Sequence, residues 1–186
     1  MTTTSREVRL RERPKGVPTS AAFEIATVEL PDPSAGQVLV RNLYMSVDPY
    51  MRGRMVDGKS YTPPFPLGAA LSGGAVGEVV QSQHPDFTEG MHLLHGMGWR
   101  EYFLSDGKGL QKIDPLQAPV QSYLGVMGMP GQTAYFGLLD IGQPKAGETV
   151  FVSAAAGAVG SIVCQIAKLQ GCRVVGSAGS AEKLPG

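Results

Sequence analysis

From Phe23 to Ile113 the chain reads as short apolar segments separated by turns. Phe23-Glu24-Ile25-Ala26-Thr27-Val28 alternates in part between apolar and polar, and Gln37 to Tyr44 is a stronger strand pattern. Between them, Pro31-Asp32-Pro33-Ser34-Ala35-Gly36 is a turn by composition. Further strands are predicted over Ala75 to Val80, Met91 to His95, Glu101 to Leu104 and Leu110 to Ile113, with glycine, proline or aspartate in the gaps. Ahead of this run, the first residues are polar, and only Val8-Arg9-Leu10 suggests a strand. Many short strands with regular turns predict a small barrel or sandwich, running to about residue 125.

The pattern then changes. Residues 132–140 suit a helix that ends near Gly142. Thr149-Val150-Phe151-Val152 is a short apolar strand of the kind buried on both faces. Val159, Ile162, Val163, Ile166 and Leu169 fall on one stripe of a helix that runs to Gln170, and Gly171 is a suitable stop. Arg173-Val174-Val175-Gly176-Ser177 follows as a strand. Strand, helix and strand in about 30 residues make a βαβ unit.

Composition narrows the possible partners. Hydrophobic content is 42% and charged content 17%, typical of a globular protein. Lys+Arg and Asp+Glu both number 16, so no basic surplus points to nucleic acid or an anionic membrane. The two cysteines, Cys164 and Cys172, are too few for a disulfide framework and lack CxxC spacing, which fits a reduced cytoplasmic setting. The first residues hold no apolar secretory segment, and no apolar run is long enough to span a bilayer.

The chemistry concentrates at Ala155-Ala156-Gly157-Ala158-Val159-Gly160, which matches GxGxxG with alanine in the first place. The pattern alone is weak. Here a strand precedes it, an amphipathic helix follows, and another strand lies beyond, which is the context of a dinucleotide site. Gly157 lets the backbone approach a pyrophosphate, and Gly160 lets the helix pack closely. Free N–H groups at the helix start suit phosphate. The alternative is a tight turn with no ligand. Enzymes that use NAD usually place a carboxylate about 20 positions past the motif. Ser177-Ala178-Gly179-Ser180 holds none, and Lys183 follows. The expected cofactor is therefore NADP(H), with the missing carboxylate weighing more than the lysine, which otherwise reads as a solvated charge.

Met45-Ser46-Val47-Asp48-Pro49-Tyr50-Met51-Arg52-Gly53-Arg54-Met55 resembles a signature of the zinc-independent medium-chain dehydrogenases/reductases. That branch holds prostaglandin reductases, plant alkenal double-bond reductases and bacterial curcumin reductases. Gly125 to Tyr135, Asp140 to Lys145 and Gly171 to Gly176 agree with it. The resemblance implies an α/β protein with a β-rich N-terminal part: a GroES-like barrel domain over 1–125, then an incomplete Rossmann domain over 126–186. It implies substrate held in a cleft between the domains, NADPH as cofactor, and hydride addition to an α,β-unsaturated carbonyl. Quinone reduction is the alternative within enzymes. A non-catalytic, truncated GroES-like binding module is the alternative outside them.

Relatives that use zinc place a cysteine ligand near Ser46 to Asp48 and a Gly-His-Glu segment where Leu67-Gly68-Ala69-Ala70 stands; neither is present, so no metal is expected. His92 and His95 would point to opposite faces of a strand, and His84 with them reads as structural. Enone reduction needs donors for the growing oxyanion. Tyr50, in the signature, and Tyr61, at a tyrosine position that the resemblance links to the substrate pocket, are the candidates; each also reads as a packing tyrosine. Arg52 and Arg54 suit a polar substrate tail or ion pairs. Met127, Met129 and Pro130 suit an apolar cleft wall or ordinary core packing. Ala155, Gly157, Ala158, Val159, Gly160, Ser177 and Lys183 are the expected cofactor contacts.

A Rossmann fold of this kind has roughly six strands, and two are evident. The terminal Leu184-Pro185-Gly186 departs from the helix with which relatives continue. The chain alone is expected to bind NADPH weakly or not at all, to expose apolar faces, and to lack the sheet edge through which full-length relatives form homodimers.

Overall fold

In the computed structural model, residues 2–58 and 60–183 are described. Leu184, Pro185 and Gly186, and with them the departure from the family's helix, lie outside the described residues. The chain divides into two compact units, Met1–Gln121 and Ser122–Gly186. Among the described residues no helix is long and apolar enough to cross a membrane.

Among the described residues, the first unit has seven strands and one short α-helix. β1 (Thr2–Leu10) pairs antiparallel with β2 (Phe23–Pro31) along its whole length, Thr2 facing Pro31 and Leu10 facing Phe23. β1 thus begins six residues before the segment that the sequence pattern suggests. Its opening threonines have no apolar alternation, but β-branched residues suit an extended ladder once a partner strand is present.

β3 (Val38–Met45), β4 (Ala75–Ser82), β5 (His92–His95), β6 (Tyr102–Ser105) and β7 (Gln111–Ile113) form a second sheet in the order β6-β3-β4-β5-β7. Val38, Val40, Val79, Leu93 and Phe103 from four of these strands make one buried cluster. A second cluster, Leu10, Met51, Met55, Phe65 and Leu71, forms around α1 (Tyr50–Arg54), a helix that strand periodicity does not reveal. Five residues are too few for a helical stripe, and the turn is fixed by tertiary contacts, with Met51 and the adjoining Met55 buried in this cluster.

The second unit starts with α2 (Met129–Tyr135), which widens into a π-helical segment over Phe136–Gly142. β8 (Thr149–Val152) and β9 (Arg173–Gly176) are parallel neighbours, joined by α3 (Ala158–Leu169). Their core is Leu138, Ala167 and Cys172, with Val150, Val163, Ile166 and Val174 against it. Two expectations need correction. Phe151 is 66% exposed rather than buried, because α3 packs on the Val150 and Val152 side alone; Val175, its partner across the ladder, is also exposed. Leu169 is 84% exposed at the helix end, and Ala167 takes the buried place.

Candidate functional site

Two groups of candidate residues exist, one in each unit. In the second unit, β8 ends at Val152 and the chain turns through Ser153 to Gly157 into α3. Ala154 adopts φ +50, a left-handed conformation that costs an alanine about 1 kcal/mol. The turn is held at the C-terminal end of the ladder: Ser177 N–H donates to Val152 O at 3.0 Å, and Ala155 N–H donates to Ser177 O at 2.9 Å. The parallel pairing therefore runs past the strands and seats the turn against the residue that follows β9.

The glycines in this turn have different reasons to be glycine. Gly157 is the N-cap of α3, and a Cβ there would lie 3.1 Å from Ala154 O with no other neighbour within 4 Å. A Cβ on Gly160 would overlap Ala154 O and sit 3.0 Å from Ala155 Cα, so the helix start touches the turn backbone directly. Gly176 is demanded in the same way, since its Cβ would come within 2.6 Å of Ala155 Cβ.

Beside the turn lies a cavity of about 660 Å³, a size that suits a small-molecule ligand. Ala155 and Ala156 line it from the turn, and Val174, Gly176, Ser177, Ala178 and Lys183 from β9 and beyond. Of the expected cofactor contacts, the cavity brings together Ala155, Ser177 and Lys183. Gly157, Ala158, Val159 and Gly160 form the cap and first turn of α3 and are not among its lining residues. Ser161, Cys164, Gln165 and Lys168 also line it and were not singled out from the sequence. Their spacing follows the helical period, a polar stripe beside the apolar one, and that is the signal that finds them. The lining holds two lysines and no carboxylate.

In the first unit, α1 carries Tyr50, Arg52 and Arg54. The Tyr50 phenol is half-buried, and its pKa is raised, first by burial and then by the negative charge of Asp48; Tyr61 adds in the same direction and Arg54 opposes. Tyr61 is 88% exposed. Arg54 is spent on the fold: its Nε donates to Pro63 O at 2.9 Å, its Nη1 to Ser72 Oγ at 3.1 Å, and its guanidinium lies 4.0 Å from the Phe65 ring centre. Arg52 donates to Gly16 O at 3.1 and 2.6 Å and to Pro14 O at 3.4 Å, pinning the loop after β1. Met127 and Met129, in the second unit, are both exposed.

Among the described residues no group of three or more His, Cys, Asp or Glu side chains converges as a metal site. His95 is buried, its Nδ1 accepts from Met97 N–H at 3.1 Å, and its pKa falls to about 4, through burial and then the nearby Arg100 charge. That is a structural histidine held neutral.

Residues 6–113 match the family of the N-terminal domain of oxidoreductase. The NADPH-dependent curcumin reductase of Escherichia coli (strain K12) is 54% identical over 175 residues, which are 94% of this chain and 50% of that protein. Prostaglandin reductase 1 of Rattus norvegicus is 48% identical over 178 residues, 94% of this chain and 52% of its own length. The crystal structure of CurA in complex with NADPH from Vibrio vulnificus superposes with a TM-score of 0.88 at 50% identity, over 95% of this chain and 52% of that one. The chain spans about half the length of the curated relatives it matches.

Proposed function

This chain belongs to the family of the N-terminal domain of oxidoreductase, in the medium-chain dehydrogenase/reductase branch that contains curcumin and prostaglandin reductases, and from that premise we propose that it is the part of an NADPH-dependent enone reductase that carries a GroES-like domain and the start of a Rossmann domain. The observation that carries the cofactor half of this reading is the turn Ala154–Gly160 beside a cavity lined by Ser177 and Lys183 and by no carboxylate. Gly157 leaves open space where a pyrophosphate needs close backbone approach, and the 12-residue α3 presents its first N–H groups to it. A 2′-phosphate suits Ser177 and Lys183, whereas a bare ribose would miss an acceptor there. Relatives named for NADPH use support the same choice.

Bound NADPH supplies the hydride. The chain's own contribution is to hold the acceptor and stabilise charge. Tyr50, a half-buried phenol with its proton in place at neutral pH, donates a hydrogen bond to the carbonyl oxygen as it gains negative charge. Tyr61, close enough to act on the Tyr50 titration, is the second proposed substrate contact. The substrate class is the α,β-unsaturated carbonyl of a small molecule.

The deciding experiment is a titration with NADPH followed by nicotinamide fluorescence, with NADH as the control. Saturable binding that prefers NADPH by at least tenfold is the expected result for a protein long enough to hold both halves of the cofactor, with weaker binding of the same preference by this chain. Equal or no preference would sink the cofactor assignment. A panel of enones and quinones then separates C=C reduction from quinone reduction. Binding without turnover of either favours a binding module. Where turnover is present, Tyr50→Phe should lower kcat roughly 10- to 100-fold and leave the NADPH Kd unchanged; an unchanged kcat removes Tyr50 from the chemistry.

A further inference from the structure

The loop Gly96–Arg100 has no role in the reading above, and its geometry is unusual. Trp99 adopts φ +63, a left-handed conformation that a bulky residue rarely takes. Glycines stand at 96 and 98, on either side of Met97, so conformational freedom was available nearby and the strain still falls on the tryptophan. Strained backbone of this kind persists only where its surroundings over-determine it.

Those surroundings are specific. Asn42, in β3, donates through Nδ2 to both Met97 O and Arg100 O at 2.8 Å, closing the loop from one side. Gly73 N–H donates to Gly96 O at 3.0 Å, and Gly98 N–H donates to Gly73 O at 3.1 Å. Val8 N–H donates to Trp99 O at 2.8 Å. Two strands, β1 and β3, and the Gly73 segment thus fix the loop that carries the indole.

The indole and its amide in turn meet the segment that bears Tyr50. Trp99 N–H donates to Met45 Sδ at 3.3 Å, at the last residue of β3. A Cβ on Gly73 would overlap Met51 Cε and lie 3.5 Å from Trp99 Nε1, so the absent side chain is what lets the indole and the α1 methionine share this spot. Tyr50 and Trp99 pack on the same cluster of Met51, Met55, Phe65 and Leu71. Trp99 Nε1 itself is buried without a hydrogen-bond partner. A residue chosen only to fill volume would not need a strained backbone and an unsatisfied donor together.

We infer that Trp99 is a positioning residue: held by the Gly96–Arg100 loop with its amide on Met45 and its indole on the Met51 cluster, it sets the place of the Ser46–Tyr50 segment and so of the Tyr50 hydroxyl. The inference rests on the enone-reductase reading for its purpose but not for its geometry.

The test compares amide hydrogen exchange in the unsubstituted protein, Trp99→Gly and Met45→Leu, alongside steady-state enone reduction with NADPH. Glycine accepts the left-handed backbone, so Trp99→Gly removes the wedge without forbidding the turn. Met45→Leu keeps the volume, removes only the sulfur acceptor, and carries the test should Trp99→Gly not fold. The amides of Ser46, Met51 and Arg52, bonded to Gly74, Asp48 and Pro49, should exchange roughly tenfold faster in Trp99→Gly and less so in Met45→Leu. Val79 and Gly90, bonded to Met91 and Val79, should keep their protection. In turnover, kcat should fall while the NADPH Kd stays the same. Equal acceleration at both sets of amides, or none at either, overturns the inference. If the unsubstituted protein binds NADPH but reduces no enone, selective exchange still supports the placement, and the enone reading alone falls.

Discussion

Replacing Gly160 by alanine is expected to destabilise the second unit by roughly 2–4 kcal/mol, although alanine is the better helix former. Gly160 has ordinary helical backbone, so propensity alone would favour alanine by about 1 kcal/mol. Against that stands a Cβ that overlaps Ala154 O and crowds Ala155 Cα. Both are backbone atoms of a turn already bound to Ser177 and strained at Ala154, so neither side can yield cheaply. Gly157→Ala is the informative partner. Its Cβ meets only Ala154 O, at 3.1 Å, so folding should change by about 1 kcal/mol or less. If the pyrophosphate approaches the Gly157 backbone as proposed, a Cβ there would stand in its way, and NADPH affinity should fall at least tenfold. Urea unfolding and NADPH titration of the two variants separate the roles. If Gly157→Ala binds NADPH as well as the unsubstituted protein, the turn is a packing device and not a phosphate site.

Acidification should weaken the first unit through His95. Above pH 6.5 the imidazole is neutral in both the folded and the unfolded chain, and its titration contributes nothing. As pH falls below 6.5 the unfolded chain takes up a proton that the folded chain refuses until about pH 4, so stability is lost across that window. The loss reaches about 3 kcal/mol at its lower end. Burial beside Phe103, whose ring centre is 4.7 Å away, and the charge of Arg100 leave the imidazolium no compensating partner. His95→Asn retains an acceptor for Met97 N–H and does not titrate. The expected result is that the difference in stability between pH 7 and pH 4.5 is smaller in His95→Asn than in the unsubstituted protein, by urea unfolding at each pH. Equal losses in both proteins would mean that other groups carry the acid sensitivity.

The strands of the first unit and the βαβ order of the second are legible in the sequence because each depends on local periodicity. β8 is predicted over the four residues it occupies, and α3 within one residue at each end. Gly157 and Gly160 are legible for a related reason: a backbone requirement leaves a gap in the side-chain pattern. The resemblance around Tyr50 added the family and the proposed reaction, which no periodicity contains.

Other features depend on contacts between residues far apart in sequence. α1 is one turn long, and its position comes from Met51 and Met55 entering a cluster with Leu10, Phe65 and Leu71. Arg52 reads as a charged side chain free for a ligand until the loop at Pro14 and Gly16 presents its carbonyls. The exposure of Phe151 follows from α3 covering one face of β8 and β9, a matter of packing that the strand's own four residues do not record. The same holds for Lys168, Gln165 and Ser161, whose helical spacing is visible but whose shared cavity needs β9 beside them. Sequence by itself therefore determined which segments extend, which coil, and where the backbone must lack a side chain. Tertiary structure decided which polar groups are consumed by the fold, how Trp99 Nε1 and His95 Nε2 came to be buried without a partner, and which lysines face one cavity, because hydrogen bonding and desolvation depend on neighbours in space rather than along the chain.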